Sequence, residues 1–196
     1  SRLKRSDLNK SLSRDVMSLS ISDIAPSFNL KNANPKQGGE MVSLEQAKGE
    51  NGVVVVFECN HCPYVVASFS RMDAMAEYCA SVGIGYVGIN SNDADNYPDD
   101  SFGNMAKRAN KGLPYPYLYD ETQQVAQHYG AKRTPEFFLF NSQLKLVYQG
   151  RMDDSPRNPT EVTTSELSDA ITAMLVNETP NVVETDSIGC SVKWKM

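Results

Sequence analysis

Hydrophobic and polar positions follow two periods along this chain, and their order predicts its elements. From Ser22 to Leu30 the sequence turns apolar, crosses a turn-rich stretch from Asn32 to Gly39, and resumes at Met41-Val42-Ser43-Leu44, the pattern of a small β-hairpin. Gly52 closes the next loop. Val53-Val54-Val55-Val56-Phe57 is apolar on both alternating faces, as a central strand covered on both sides requires. Cys62, Val65, Val66, Phe69, Met72, Ala76 and Ala80 then share one face at helical spacing, with Pro63 tolerated in the first turn, which predicts one helix. Asp73 interrupts that stripe and is expected at its border with water. Ile84 to Asn90 is a second strand, so Val53 to Asn90 forms a βαβ unit with parallel strands and a right-handed crossover.

Downstream, Pro98 can open a helix whose inner face is Phe102, Met105, Ala106 and Ala109, closed by Gly112. Leu113 to Tyr119 is broken by Pro114 and Pro116, which predicts a short edge strand near Tyr117. A helix from Glu121 to Tyr129 ends at Gly130, with His128 as a surface or packing residue. Phe137 to Phe140 turns through Asn141-Ser142-Gln143 into Leu144 to Gln149, an antiparallel hairpin. Asp153 and Asp154 suit a solvated turn. Thr163 with Glu166 can form a capping box for a last amphipathic helix carrying Leu167, Ala170, Ile171, Met174 and Leu175. The organisation expected is an arm over residues 1–20, one α/β domain over 21–178, and a tail over 179–196.

Composition narrows the function classes. With 196 residues, 40% of them hydrophobic, the chain suits one domain with a proper core. A net charge of -5 gives no electrostatic reason to expect nucleic acid or an anionic membrane surface as partner. No apolar run approaches the roughly 20 residues that span a bilayer. The basic stretch from Ser1 to Arg14 is not followed by the hydrophobic segment of a secretory signal. A cytoplasmic location is therefore favoured over a periplasmic one, although a chain that does not begin with Met leaves this open. Four cysteines are too few for a disulfide-stapled scaffold, which makes their chemistry the interesting question.

Cys59-Asn60-His61-Cys62-Pro63 supplies that chemistry. A Cys-x-x-Cys pair at a strand-to-helix junction is a redox signature, because unpaired N–H groups at the helix start favour a thiolate. The spacing lets the second sulfur attack a mixed disulfide formed on the first. Cys59 is expected as an exposed attacking thiolate and Cys62 as the resolving thiol. Glu58 would raise the Cys59 pKa if it pointed at the sulfur, and a protonated His61 would lower it. Cys79 is expected to be an inert, partly buried thiol. Two histidines and two remote cysteines leave a thin supply of ligands for a metal site.

The order hairpin, strand, Cys-x-x-Cys, helix, strand, helices, Thr-Pro, antiparallel hairpin, helix resembles the thioredoxin-like fold in its peroxiredoxin-related version, over roughly Ile21 to Val176. Cys59 to Val65, Thr134-Pro135-Glu136-Phe137-Phe138-Leu139-Phe140, Gly150-Arg151-Met152-Asp153-Asp154 and Gly189-Cys190-Ser191-Val192-Lys193-Trp194-Lys195 are similar to the alkyl hydroperoxide reductase and thiol-specific antioxidant group. The resemblance implies a central mixed β-sheet flanked by helices and a thiol-disulfide oxidoreductase without a cofactor. It also implies a cis bond at Pro135, with Thr134 backbone groups pairing to an extended substrate. The substrate would be a disulfide-containing protein or a small thiol or disulfide, with an unknown redox partner. Cys190, in a tail with Ile188, Val192 and Trp194, is expected to fold back toward Cys59 or Cys62 as a third redox thiol.

The peroxidase loop of peroxiredoxins, Pro-x-x-x-Thr/Ser-x-x-Cys, is missing in either register, although Arg151 or Arg133 could serve as the distant cation. A thiol peroxidase of atypical site is one alternative. The other is a copper or zinc binder built from Cys59, Cys62 and a histidine, as in thioredoxin-fold copper chaperones.

Overall fold

A computed structural model describes residues 18–196. The arm expected over residues 1–20 therefore falls mostly outside the described residues. The hairpin forms as expected, with β1 (Asn29–Asn32) antiparallel to β2 (Met41–Ser43). A one-turn helix, α1 (Leu44–Ala47), follows under a capping box made by Ser43 and Gln46. The valine run is β3 (Gly52–Phe57), α2 spans Pro63–Val66 and α3 Phe69–Ser81, and the second strand is β4 (Ile84–Asn90). Then come α4 (Phe102–Ala109), β5 (Tyr117–Tyr119), α5 (Gln124–Tyr129), β6 (Arg133–Thr134), β7 (Glu136–Asn141), β8 (Leu146–Gly150), α6 (Glu166–Leu175) and β9 (Cys190–Ser191).

Two ladders, β2-β1-β5-β4 and β3-β7-β8, meet along β3 and β4. Asn51 N–H donates to Gly83 O (2.8 Å) where both strands begin, and Glu58 N–H donates to Ile89 O (2.9 Å) where both end. The strands therefore run in the same direction, as the βαβ expectation requires. The result is one mixed sheet in the order β2-β1-β5-β4-β3-β7-β8, with β4 and β5 parallel and β3, β7 and β8 antiparallel.

Every side chain of β3 is buried, and the two faces feed separate cores. Val54 and Val56 pack with Met72, Ala76, Leu167 and Ile171 from α3 and α6, whereas Val53, Val55 and Phe57 pack with Phe28, Val125 and Tyr129. Close approach of backbones fixes one glycine. A Cβ on Gly85 would sit 1.7 Å from Ala47 O.

Several local expectations need correction. The helix after Cys62 is not continuous but breaks at Ala67-Ser68, because the buried Ser68 hydroxyl bonds to Tyr64 O (2.8 Å) and Pro156 O (3.0 Å). Ala80, expected on the inner face, is exposed. Asp73 is only half at the water's border; its Oδ1 is enclosed without a hydrogen-bond partner, and burial raises its pKa. β5 is not an edge strand. It lies between β1 and β4, and both prolines precede it, so its own N–H groups stay available. The capping box at Thr163 does not form, since α6 starts after Ser165, Thr163 bonds to Asp154, and Glu166 pairs with Arg151. α5 begins at Gln124, not Glu121, and His128 is exposed on it.

The outer strand β8 is covered by neighbouring chain on its free side. Gln149 N–H donates to Val183 O and Thr185 N–H to Gln149 O, while near its start Ser22 N–H donates to Leu146 O and Leu146 N–H to Asp23 O. At the far side of the sheet β2 is three residues long and runs straight into α1. Among the described residues no helix is long and apolar enough to cross a membrane.

Candidate active site

β3 delivers Glu58 and Cys59 to its carboxyl end beside the end of β4, the place where open α/β sheets collect their sites. The loop that follows is pinned from the turn at Pro98–Asp100. Asn60 N–H donates to Asp100 Oδ1 (2.8 Å), the Asn60 amide donates to Asp99 O (2.9 Å), and Tyr117 O–H donates to Asn60 Oδ1 (2.7 Å). Asp100 is fully buried and also accepts from Asn92 Nδ2 (2.9 Å). His61 Nδ1 lies 2.7 Å from Asp100 Oδ2, close enough for an ion pair but off the line of a hydrogen bond. Its ring stacks on Tyr97. Cys62 is the N-cap residue of α2, with its carbonyl accepting from Val66 N–H (2.9 Å).

All four cysteines are free thiols. Cys59 is 0% exposed, so the expectation of an exposed thiolate is corrected. Cys59 Sγ lies 3.6 Å from Thr134 Oγ1, and Cys62 Sγ lies 3.5 Å from Thr134 O. Cys190 Sγ comes to 2.8 Å from Cys62 Sγ, across 128 residues of sequence. The expected proximity of the tail cysteine is thus present, and it is Cys62, not Cys59, that Cys190 touches.

The electrostatics rank the three sulfurs. Cys62 is held below the ordinary thiol range because Cys59 hydrogen-bonds to its sulfur, against burial, with Cys190 adding to the effect. Cys59 is pushed up by that same bond, by burial and by the Asp100 carboxylate. Cys190 is raised by burial and then by its bond to Cys62. Cys79 stands apart, buried and pushed up to about 12, as expected of an inert thiol.

Thr134-Pro135 is cis, as expected, and the edge beside it is occupied. β9 pairs antiparallel with β6, Thr134 opposite Cys190 and Arg133 opposite Ser191. The tail beyond is held mainly through its backbone. Val192 N–H donates to Lys132 O (2.9 Å), Asp93 N–H to Lys193 O (2.8 Å), Lys193 N–H to Asn92 Oδ1 (2.9 Å) and Lys195 N–H to Gln123 Oε1 (2.9 Å).

Glu58 does not point at Cys59. Fully buried, it pairs with Arg108 and accepts from Tyr115 O–H (2.8 Å), in space left by Gly88, where a Cβ would lie 2.6 Å from Glu58 Oε2. Burial raises its pKa, with Arg108 and Tyr115 opposing. Arg108 stacks on Phe69 (3.9 Å) and Tyr117 (4.8 Å) and reaches Cys59 O (3.5 Å). Nothing in the sequence singled out Arg108. The only local signal is a cation in the last turn of α4, which reads as ordinary helix electrostatics.

Arg151 and Arg133 are the two candidates for a distant cation. Arg151 is tied to Glu166, and Arg133 is exposed. Asp153 is not part of a solvated turn; it is buried and paired with Arg71 (2.7 Å), while Asp154 accepts from Thr163 and Thr164 N–H groups.

Comparison with known proteins bears on the family and the fold. A solved structure described as an uncharacterized conserved protein from Geobacillus kaustophilus is 43% identical, with TM-score 0.83 and coverage of 90% of this chain and 93% of that one. A hypothetical protein from Sinorhizobium meliloti 1021 is 35% identical, with TM-score 0.82 and coverage of 90% and 96%. A putative thiol:disulfide interchange protein DsbE from Chlorobium tepidum, 24% identical with TM-score 0.61 and coverage of 80% and 99%, shares the thioredoxin-like fold. No curated protein matches. The Redoxin family profile aligns with residues 21–171, a span that holds the valine strand, the Cys-x-x-Cys loop and the Thr-Pro bend, and the chain belongs to the Redoxin family.

Proposed function

We propose that the protein is a thiol-disulfide oxidoreductase in which Cys62 meets the partner sulfur and Cys59 resolves the mixed disulfide. The observation that carries this is the Cys190 sulfur 2.8 Å from Cys62, with Thr134 paired to Cys190 beside it. The assignment exchanges the roles expected from sequence, and the ordering of the thiols supports the exchange. Cys62 is the sulfur that favours its thiolate and the one that Cys190 touches; Cys59 and Cys62 are both buried, at 0% and 1% exposure, so exposure does not separate them.

In the reductive direction the Cys62 thiolate attacks a substrate disulfide, whose S–S bond breaks. One substrate sulfur joins Cys62, and the other leaves as a thiolate and takes a proton. Cys59 then attacks Cys62 Sγ, so that the Cys59–Cys62 bond forms as the Cys62–substrate bond breaks, and its proton passes to the released second substrate thiolate. Two electrons pass from the dithiol to the substrate, and a separate redox partner restores it.

Reduction of a small disulfide and of an insulin-type protein disulfide tests the assignment. Cys62→Ser is expected to lose both activities, and Cys59→Ser/Cys190→Ser, which also removes the sulfur touching Cys62, to accumulate a mixed disulfide on Cys62. Full activity of Cys62→Ser would refute the assignment.

One observation favours a second reading, a metal-binding site. Ligand atoms of Cys59, His61 and Asp100 lie within 4.8 Å of one another. Asp100 is already engaged by Asn60 and Asn92, which weighs against it. Metal analysis after anaerobic purification separates the two readings, since stoichiometric copper or zinc that protects Cys59 from alkylation would favour the second. A peroxidase reading finds little support in the cations, because Arg151 is committed to Glu166.

A further inference from the structure

Resting on that redox reading, we propose that the tail segment Gly189–Val192 is a tethered copy of the substrate. The external partner is then an extended peptide whose cysteine follows a glycine and precedes, by two residues, an apolar side chain. It would add to β6 in the tail's place.

Three observations carry this. First, the tail lies on β6 as an added strand, Thr134 opposite Cys190, with Val192 N–H to Lys132 O continuing the pairing. Main-chain bonds of this kind take any extended sequence, and selectivity comes from alternate side chains. Second, alternate side chains of a strand share a face. Cys190 presents its sulfur to Cys62, and two residues on Val192 is 4% exposed, so one face of the strand supplies both the reacting atom and an apolar anchor.

Third, Gly189 passes the bend so closely that a Cβ would lie 1.9 Å from Thr134 O and 2.6 Å from Thr134 C. Those are backbone atoms, and no side chain can swing aside to relieve the clash. The restriction belongs to the edge, so it applies to any strand that replaces the tail in the same register. Ser191, by contrast, is exposed and sets no requirement.

The chemistry is the exchange already described. Cys62 thiolate attacks the partner's disulfide, the tail having moved off, and the Cys62–partner bond forms as the old S–S bond breaks. A tethered strand competes at high effective concentration, so release of the tail governs access.

The test uses the full chain carrying Cys59→Ser and Cys190→Ser, which leaves Cys62 able to form a mixed disulfide that persists. It is challenged with peptides Ile-Gly-Cys-Ser-Val-Lys whose cysteine is activated as a 2-pyridyl disulfide. Attack by Cys62 releases one pyridine-2-thione, read by its absorbance. The parent peptide is expected to react about tenfold or more faster than the Gly→Ala peptide, as a clash between rigid atoms implies. A Val→Asn peptide is expected to be slower than the parent. Adding Gly189→Ala to the protein displaces the tail and is expected to speed the parent peptide.

Equal rates for the parent and Gly→Ala peptides, or no acceleration from Gly189→Ala, would overturn the proposal. A small pyridyl disulfide separates the two levels. If it reacts with Cys62 while the peptides are indistinguishable, docking fails and the redox reading stands. If it does not react either, both fail.

Discussion

Replacing Arg108 with Met tests how the protein keeps a carboxylate at the end of its central strand. Glu58 is 0% exposed and Arg108 is 11% exposed, so the pair is held almost entirely away from water. Removing the cation leaves Glu58 with the Tyr115 hydroxyl alone. Breaking a buried pair in this way costs about 3–5 kcal/mol, chiefly because a buried charge is left uncompensated. Met also gives up the stacking of the guanidinium on Phe69 and Tyr117, but the double variant Glu58→Gln/Arg108→Met gives it up equally. The difference between single and double variants therefore isolates the stranded charge, and Arg108→Met is expected to be the less stable of the two.

The difference must also depend on pH. Glu58's folded pKa is already raised by burial, and losing Arg108 removes the largest opposing influence. A raised folded value means that the protonated form suits the fold. Its contribution is fully present below the unfolded carboxylate value of about 4.3 and is lost as pH rises through the folded value. The deficit of Arg108→Met should thus shrink on acidification and grow toward neutrality, while the double variant lacks this dependence. Urea unfolding of reduced wild type, single and double variants across mildly acidic to neutral pH measures it. Equal stabilities for single and double variants, or a deficit independent of pH, would refute the reasoning.

Two further predictions concern the thiols and the sheet. Cys62's folded pKa is lowered, so its thiolate stabilises the reduced fold above the ordinary thiol range, and this is lost as pH falls through the lowered value. Reduced Cys62→Ser should therefore lag wild type by more in the ordinary thiol range than in acid, where the two converge; a constant gap in urea midpoints across that window would contradict this. Gly85→Ala places a Cβ 1.7 Å from Ala47 O, where only backbone movement relieves the clash, and should cost about 1–3 kcal/mol or more in denaturant unfolding. An unchanged midpoint would mean that α1 shifts freely against β4.

How much of this was legible in the sequence follows the range of each interaction. The valine strand and the Cys-x-x-Cys junction announce themselves because burial on two faces and a strand-to-helix change of period are local. The break at Ser68 depends on the carbonyl of Pro156, 88 residues away, and no periodicity carries that information. The same holds for Glu58 with Arg108 and for Asp153 with Arg71, where each acid alone looks like a surface residue. Pro114 and Pro116 give the stretch around β5 the composition of an edge strand. Both precede its first residue, and the strand is internal. The roles of the two site cysteines depend on a third sulfur whose approach is set by the tail.

The covered outer strand β8 has a bearing on solubility during turnover. An uncovered sheet edge is a template for growth from molecule to molecule. Here one flank of the sheet is sealed by the chain itself, and the other offers only the three residues of β2. On the proposed release of the tail, the strand edge uncovered is the two-residue β6 with Lys132 O beside it. That is far shorter than the six or seven residues typical of a fibril-forming segment, so the protein can open a strand-accepting edge without offering a seed for polymerisation.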